Sequence, residues 1–576
     1  MSLEKLPRII ALLAIPFISS AQLFYNNGGI VHADVGGIVY VDGALTNDNS
    51  GNLENFGQMT IKDDVTLSNT SVASGDGDYY VAGDWINDAT FNADLSEVIL
   101  DGDNQMIDGS VITNFYDITL TGTGVKTQDI DATCSGVLDL TDRELATESF
   151  YFYVDNPAVM AVTRTTGFVS SLTGGTFARL TAGTGLYLFP TGSTVGTTRY
   201  RPVEMVPQAA NPNVYSVRLA NNDATLDGYD RALYEASICD ANEFYYHVIN
   251  HDFGADDIDL IVYHSSAEDG DFTAIAQWEG LTTNQWESTG PALVNAGTLI
   301  GVEIQSWSDF STDPYVLIKE NPSEPTLTGN DVICGGGAAV YYASGDPSAT
   351  FEWDVTGGSF ADSDTTSSQV NVVWGSGSNG TVDVYQIVNG CKSTLPTSLP
   401  ISLLAQPTAL YNHDFYGTSV SNIAFEDSSI GNGLIYSWDF GDTETSTAMN
   451  PIHSYDEPGV YNVSLIVENN DGCLDTISKV IELEEIMNIP NIFTPNNDGF
   501  NDQFVAQNLG ICDFSIEIYN RWGNLIFTSN NPSIAWDGKT RSGGDASSGT
   551  YYYKAVWTSC KTGESDAAAD FITLTK

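Results

Sequence analysis

The residues of this 576-residue chain that could do chemistry are scattered. Its six histidines are His32, His247, His251, His264, His413 and His453. Only His247 and His251 stand at i, i+4, and they sit in FYYHVINHDF, a strand-like stretch where that spacing loses its helical meaning. The glycine run GSGSNG at 375–380 fits G-x-G-x-x-G in letters. It follows one strand pattern, VNVVW, and precedes another, TVDVYQIV. A dinucleotide fingerprint needs a helix N-terminus there to hold the pyrophosphate, so a hairpin turn is expected. No G-x-S-x-G, H-E-x-x-H or P-loop occurs. Carboxylates are so numerous that pairs of them say nothing about glycoside hydrolysis. No catalytic residue is assigned, and the chain reads as non-enzymatic.

One loop has the oxygen content of a cation site. Asn497-Asp498-Gly499-Phe500-Asn501-Asp502 could offer Asp498, Asn501 and Asp502 to calcium, which takes six to eight oxygens. The EF-hand spacing is absent, because no Glu follows at the twelfth position. Asx side chains capping their own turns explain the same residues more simply. No other cofactor is expected.

Seven cysteines fit an oxidising compartment. Cys334 with Cys391, and Cys512 with Cys560, fall near opposite ends of sandwich-sized segments, and each couple is expected to form a disulfide. Cys134, Cys239 and Cys473 have no obvious partners, and the odd total leaves a thiol over. No C-x-x-C occurs, which removes zinc-ribbon and thioredoxin readings.

The formal net charge of −55 repels nucleic acid and anionic headgroups. Lys5 and Arg8 precede a short apolar run at 9–17, followed by Ser19-Ser20-Ala21 and Gln22. That is a signal peptide at 1–21 with cleavage between Ala21 and Gln22. The run is too short to span a bilayer, which takes about 20 apolar residues. No later segment is longer, so no transmembrane span is expected.

The elements that must position these residues are strands. The 54 glycines, with many Asn and Asp, punctuate short pieces that alternate apolar and polar residues. An all-β fold follows. Pieces such as DYYVAGDWINDATFNA and SEVILDGDNQMIDGS at 22–165 cannot bury their apolar faces alone, so they are expected to stack as β-solenoid-like rungs. Tyr79, Tyr80 and Trp85 there could stack on sugars or pack between rungs, and packing is the simpler expectation. A β-rich sandwich region is expected at 166–320, and NPSEP is a stiff linker. Immunoglobulin-sized sandwiches are expected at 326–404 and 406–484, and a further compact one at 488–576. In the first, Trp353 lies between Cys334 and Cys391, the layout of a two-sheet sandwich.

Three resemblances add to this. Trp85-Ile86-Asn87, Phe91 and Gln105-Met106-Ile107-Asp108-Gly109 resemble blocks in large Bacteroidetes surface proteins. YSWDFGD followed by HSYDEPGVYNV resembles the PKD (polycystic-kidney-disease-type) domain, in which Trp438, Phe440, Tyr455 and Tyr461 would be core; 326–404 is PKD-like. At 488–576, NIPNIFTPNNDGFNDQF, FSIEIYNRWGNLIF, AWDGK, SSGTYYYKAVW and FITLTK resemble the gliding-motility-associated C-terminal domain. That family is the type B sorting signal of the type IX secretion system. The resemblance implies an extracellular or cell-surface protein whose partners are that machinery and an outer-membrane protein. The expected function is a surface adhesin or structural protein with an unknown surface or glycan ligand. The rival readings are a carrier subunit of the secretion or gliding machinery and a polysaccharide-active enzyme with its site in the solenoid.

Overall fold

The computed structural model describes residues 22–311, 314–417 and 419–576. The leader expected at 1–21, with Ala21, lies outside the described residues. Among the described residues the elements are strands, with one short helix at Ser266–Asp269 and two 3-10 turns. The chain forms two compact units. The first takes the residues up to Glu324 with the short segments 345–350 and 385–396, and the second takes the remainder.

The first unit begins as a three-sided parallel solenoid. Strands Phe24–Asn27, Ile30–Ala33 and Ile38–Val41 make one rung, and Leu45–Asp48, Asn52–Asn55 and Gln58–Ile61 make the next. Phe24 faces Leu45, Val31 faces Leu53 and Val39 faces Met59. Alternation along each strand sends every second residue inward, and parallel register stacks like on like. Leu45, Val65, Trp85 and Ile107 form one such stack, all buried. Met59, Tyr79, Val98, Ile118, Leu138 and Val162 form another. Polar groups turned inward are paired between rungs: Asn26 donates to Asn47 Oδ1 (2.7 Å), and Asn47 donates to the Val72 carbonyl (2.9 Å).

The solenoid does not end where the sandwich begins. Tyr151–Val154 pairs in parallel with Thr176–Thr181, which pairs antiparallel with Asn213–Ala220. That sheet continues through Tyr246–Phe253 and Tyr315–Glu320 to Ala274–Glu279 and Gln285–Ser288. One apolar cluster runs from Ala33 to Leu317. The segments expected at 22–165 and 166–320 thus share a sheet and a core. A second sheet, built on Tyr187–Phe189, Val203–Pro207, Ile258–His264 and Ile300–Trp307, covers the sandwich part.

The second unit holds sandwiches. In one, the sheet Thr326–Thr328, Ala338–Ser344, Gln369–Trp374 and Gly358–Phe360 accompanies a sheet built on Val332–Cys334, Thr397–Leu404 and Asn379–Val388. GSGSNG joins Gln369–Trp374 of one sheet to Asn379–Val388 of the other, so it is a crossover and not the hairpin turn expected. A Cβ on Gly380 would lie 2.3 Å from the Trp374 ring, which requires glycine. The next sandwich packs Trp438, Phe440, Tyr455 and Val463 at its centre, and Trp438 donates to the Ala448 carbonyl (2.9 Å).

The disulfides correct one expected pair. Cys334 bonds Cys473 and Cys391 bonds Cys239, while Cys512 bonds Cys560. The expected Cys334–Cys391 pair is absent because Cys334, at the end of Val332–Cys334, meets the turn before Leu474–Leu483. Cys391 meets the strand Ile238–Ala241. Cys134 is the free cysteine, buried, with its thiol pushed up to about 12 by burial.

Candidate functional site

Residues from Ile486 onward build the compact C-terminal body. Its five-stranded sheet runs Ile492–Phe493, Ser565–Leu574, Gly549–Ser559, Ile511–Tyr519, Leu525–Ser529. A small sheet pairs Ile486–Asn488 with Gln507–Leu509. The core gathers Phe493, Phe504, Ile516, Ile518, Trp536, Tyr551 and Ile572. Trp536, from AWDGK, is wholly buried and donates to the Lys539 carbonyl (2.7 Å). Phe504 and Trp536 exchange backbone hydrogen bonds of 2.9 and 3.1 Å, which ties the opening block to the middle one. The blocks read separately in the sequence therefore meet in one core.

What remains outward suits docking. Ile492–Phe493 pairs with the end of Ser565–Leu574, at Thr573 and Leu574, so among the described residues the outer edge of that strand before Thr573 is free within its sheet. Free strand edges recruit partners. Tyr552 stands opposite Phe571 across the strands, and both are exposed, at 52% and 44%. The turn after Ile511–Tyr519 is closed by Asn520 Oδ1, which accepts from the Trp522 and Asn524 backbone N–H groups (3.0 Å each). Trp522 projects into solvent with Arg521 over its ring. The last strand, Ser565–Leu574, begins six residues before the FITLTK block.

The loop at 497–502 is a set of Asx bonds. Asp502 Oδ1 accepts from the N–H groups of Asn496 (3.1 Å) and Asn497 (2.6 Å), and its Oδ2 accepts from Gly499 (2.8 Å). Asp498 Oδ1 accepts from the Phe500 N–H (2.8 Å), which holds that carboxyl below its ordinary value. The Asn501 carbonyl accepts from Thr494 (2.7 Å). Positive φ at Asn497, Gly499 and Asn501 suits the residue types that tolerate it. The carboxylates of Asp498 and Asp502 hold the backbone of this loop together.

Other singled-out residues have structural partners. His247 is buried with Nε2 2.9 Å from the Arg201 carbonyl. His251 stacks on Tyr215 and bonds Asn213 (3.0 Å). They share a strand face but not a site. Trp85 is wholly buried in an aromatic cluster with Tyr79, Phe91 and Phe115. Trp353 is buried and donates to the Ser367 carbonyl (2.9 Å). A feature that the sequence did not announce is the Arg201–Asp269 pair beneath the sandwich, with the Asp269 side chain fully buried. Sequence separation hides it.

Residues 487–574 match the family model of the CHU_C type IX secretion signal domain. The chain carries a type IX secretion signal. Residues 405–483 match the PKD domain model. The signal implies export to the cell surface or secretion, through engagement of the type IX machinery. Among the described residues no helix is long and apolar enough to cross a membrane. Relatives include the collagenase ColA of Clostridium perfringens, 30% identical over 164 residues, 26% of this chain and 15% of that protein. The pre-pro-metalloprotease PrtV of Vibrio cholerae is 36% identical over 78 residues, 14% of this chain and 8% of that one. The chain thus spans a small part of each. The crystal structure of the PKD1 domain of PrtV is 32% identical, covering 14% of this chain and 98% of that one at a TM-score of 0.13.

Proposed function

We propose that this exported protein acts at the cell surface as a non-enzymatic adhesin or structural protein. The observation that carries the reading is the joining of a secretion signal to a solenoid and sandwich that share one sheet and one core. Such a unit displays long, regular polar faces on a stiff frame, as repeat architectures do when they present binding surfaces. The PKD sandwich acts as a spacer, with Trp438, Phe440 and Tyr455 buried in its core and Tyr461, expected there too, half-buried against it. The His247–His251 pair and the Trp85 cluster support the reading because each has a packing role. Binding on this account calls for no cofactor.

A polysaccharide-active enzyme is the second reading, and one observation favours it. On the solenoid, the Asp84 carboxyl is raised above its ordinary value by burial and by repulsion from Asp64, Asp108 and Asp63. A raised carboxyl is a general-acid trait. Against it, Asp84 Oδ1 accepts from the Met106 N–H (2.7 Å), a bond that fixes a solenoid corner.

The test uses the purified full chain on arrayed glycans and matrix proteins, with product release followed in parallel. Saturable binding without turnover is expected. Polysaccharide cleavage abolished by Asp84→Asn, with the fold intact, would overturn the reading.

A further inference from the structure

A cleft of about 140 Å³ opens on the outer face of the last solenoid rungs. Val125 faces Glu144 across adjacent parallel strands, and the next strand outward begins at Phe168, opposite Glu144. Ser170, Leu172, Thr194 and Val195 line it too, with the half-buried Glu148 as a second carboxylate. Glu144 is only 9% exposed. Its Oε1 accepts from the Ser170 hydroxyl (2.6 Å) and its Oε2 from the Thr194 hydroxyl (2.9 Å). Among the described residues no lysine, arginine or histidine lines the cleft.

Two hydroxyl bonds do not neutralise a carboxylate, and a buried charge is ordinarily paired. Both hydroxyl protons point at Glu144, so the two hydroxyl oxygens are left as acceptors. The floor is therefore anionic and rich in acceptors, while Val125, Leu172 and Val195 give apolar walls. That combination fits a cation with several N–H donors on a short hydrocarbon stem. At about 140 Å³ the cleft has room for an ammonium on a short alkyl stem. A divalent ion wants six to eight oxygens and no apolar wall. The overall charge of −55 draws cationic partners toward the surface.

We propose that this cleft binds a primary alkylammonium group with Glu144 as its counter-ion, presented by a protein partner as a lysine side chain. The proposal rests on the binding reading above and names the chemistry of one ligand.

Saturation-transfer NMR on the full chain, titrated separately with n-butylammonium, n-butanol, methyl glucoside and glucosamine, tests it. The expected result is saturable n-butylammonium binding, with n-butanol and methyl glucoside weaker by at least about tenfold. Glu144→Gln should weaken n-butylammonium by at least the same factor. Val195→Trp, which fills the mouth from an exposed position, should block it without touching the core. Equal binding of n-butanol, or n-butylammonium binding untouched by both variants, would overturn the site. Glucosamine preferred over n-butylammonium would overturn the lysine assignment. Adhesion retained by the full chain when n-butylammonium fails to bind would sink this site and leave the binding reading standing.

Discussion

Cys334 is bonded to Cys473, 139 positions further along, so one disulfide joins the immunoglobulin-like sandwich to the PKD sandwich that follows it. The two are a coupled pair instead of beads on a flexible string. In the chain-entropy account, closing a loop of that length stabilises by about 5 kcal/mol. Replacing both cysteines with serine should split the unfolding of this region into separate transitions at lower temperature. Calorimetry of the double variant checks this, and non-reducing peptide mapping should recover Cys334–Cys473 and Cys239–Cys391. A map showing Cys334–Cys391 would contradict the arrangement.

Lys126 offers a second test. It is buried inside the solenoid, where its ammonium donates to the carbonyls of Gly102 (2.9 Å), Asp103 (2.7 Å) and Thr123 (3.1 Å) and to Gln105 Oε1 (2.7 Å). Burial pushes its pKa down to about 8. Lys126→Met keeps the volume but strands those acceptors, and should destabilise the first unit by roughly 3 kcal/mol. Denaturant unfolding measures it; an unchanged midpoint would contradict the role.

These two features mark the limits of what the sequence makes legible. The rungs could be read because inward positions such as Leu45, Val65 and Ile107 are followed by outward polar ones, Thr46, Thr66 and Asp108. The signal domain could be read because its blocks keep their residues and order. The disulfide partners could not, because pairing depends on which domains lie side by side, and no local pattern carries that. The continuity of solenoid and sandwich was equally hidden. Thr176–Thr181 looks the same whether its neighbour is parallel or antiparallel, yet it has one of each. The cleft at Glu144 combines residues from strands and a loop, and Glu144 meets Thr194 from 50 positions away.

Acid should weaken the first unit. His247 is fully buried, and burial lowers its pKa to about 4. The folded chain keeps it neutral while the unfolded chain protonates it near pH 6.5, so stability falls as pH drops from about 6.5 to about 4. The contribution is about 3 kcal/mol. Burial also lowers His264, which adds in the same direction. Unfolding midpoints across pH 4–7 should show this slope, and His247→Gln should flatten it. A slope unchanged in the variant would remove His247 as its cause.

The outward pair on the signal domain should matter for export and not for folding. Replacing Tyr552 and Phe571 together with serine changes two exposed side chains, which should alter stability by no more than about 0.5 kcal/mol each. Surface delivery should fall several-fold at unchanged thermal midpoint. Normal delivery would place the docking surface elsewhere on the domain.

The central claim is that the C-terminal body directs export while the rest folds without it. Cells expressing the chain truncated after Glu485 should be fractionated beside cells expressing the full chain. Surface protease accessibility and periplasmic content should be measured for both. The account predicts that the truncated chain collects in the periplasm, folded and disulfide-bonded, and is absent from the surface and medium. Surface delivery of the truncated chain at the full-length level would contradict it.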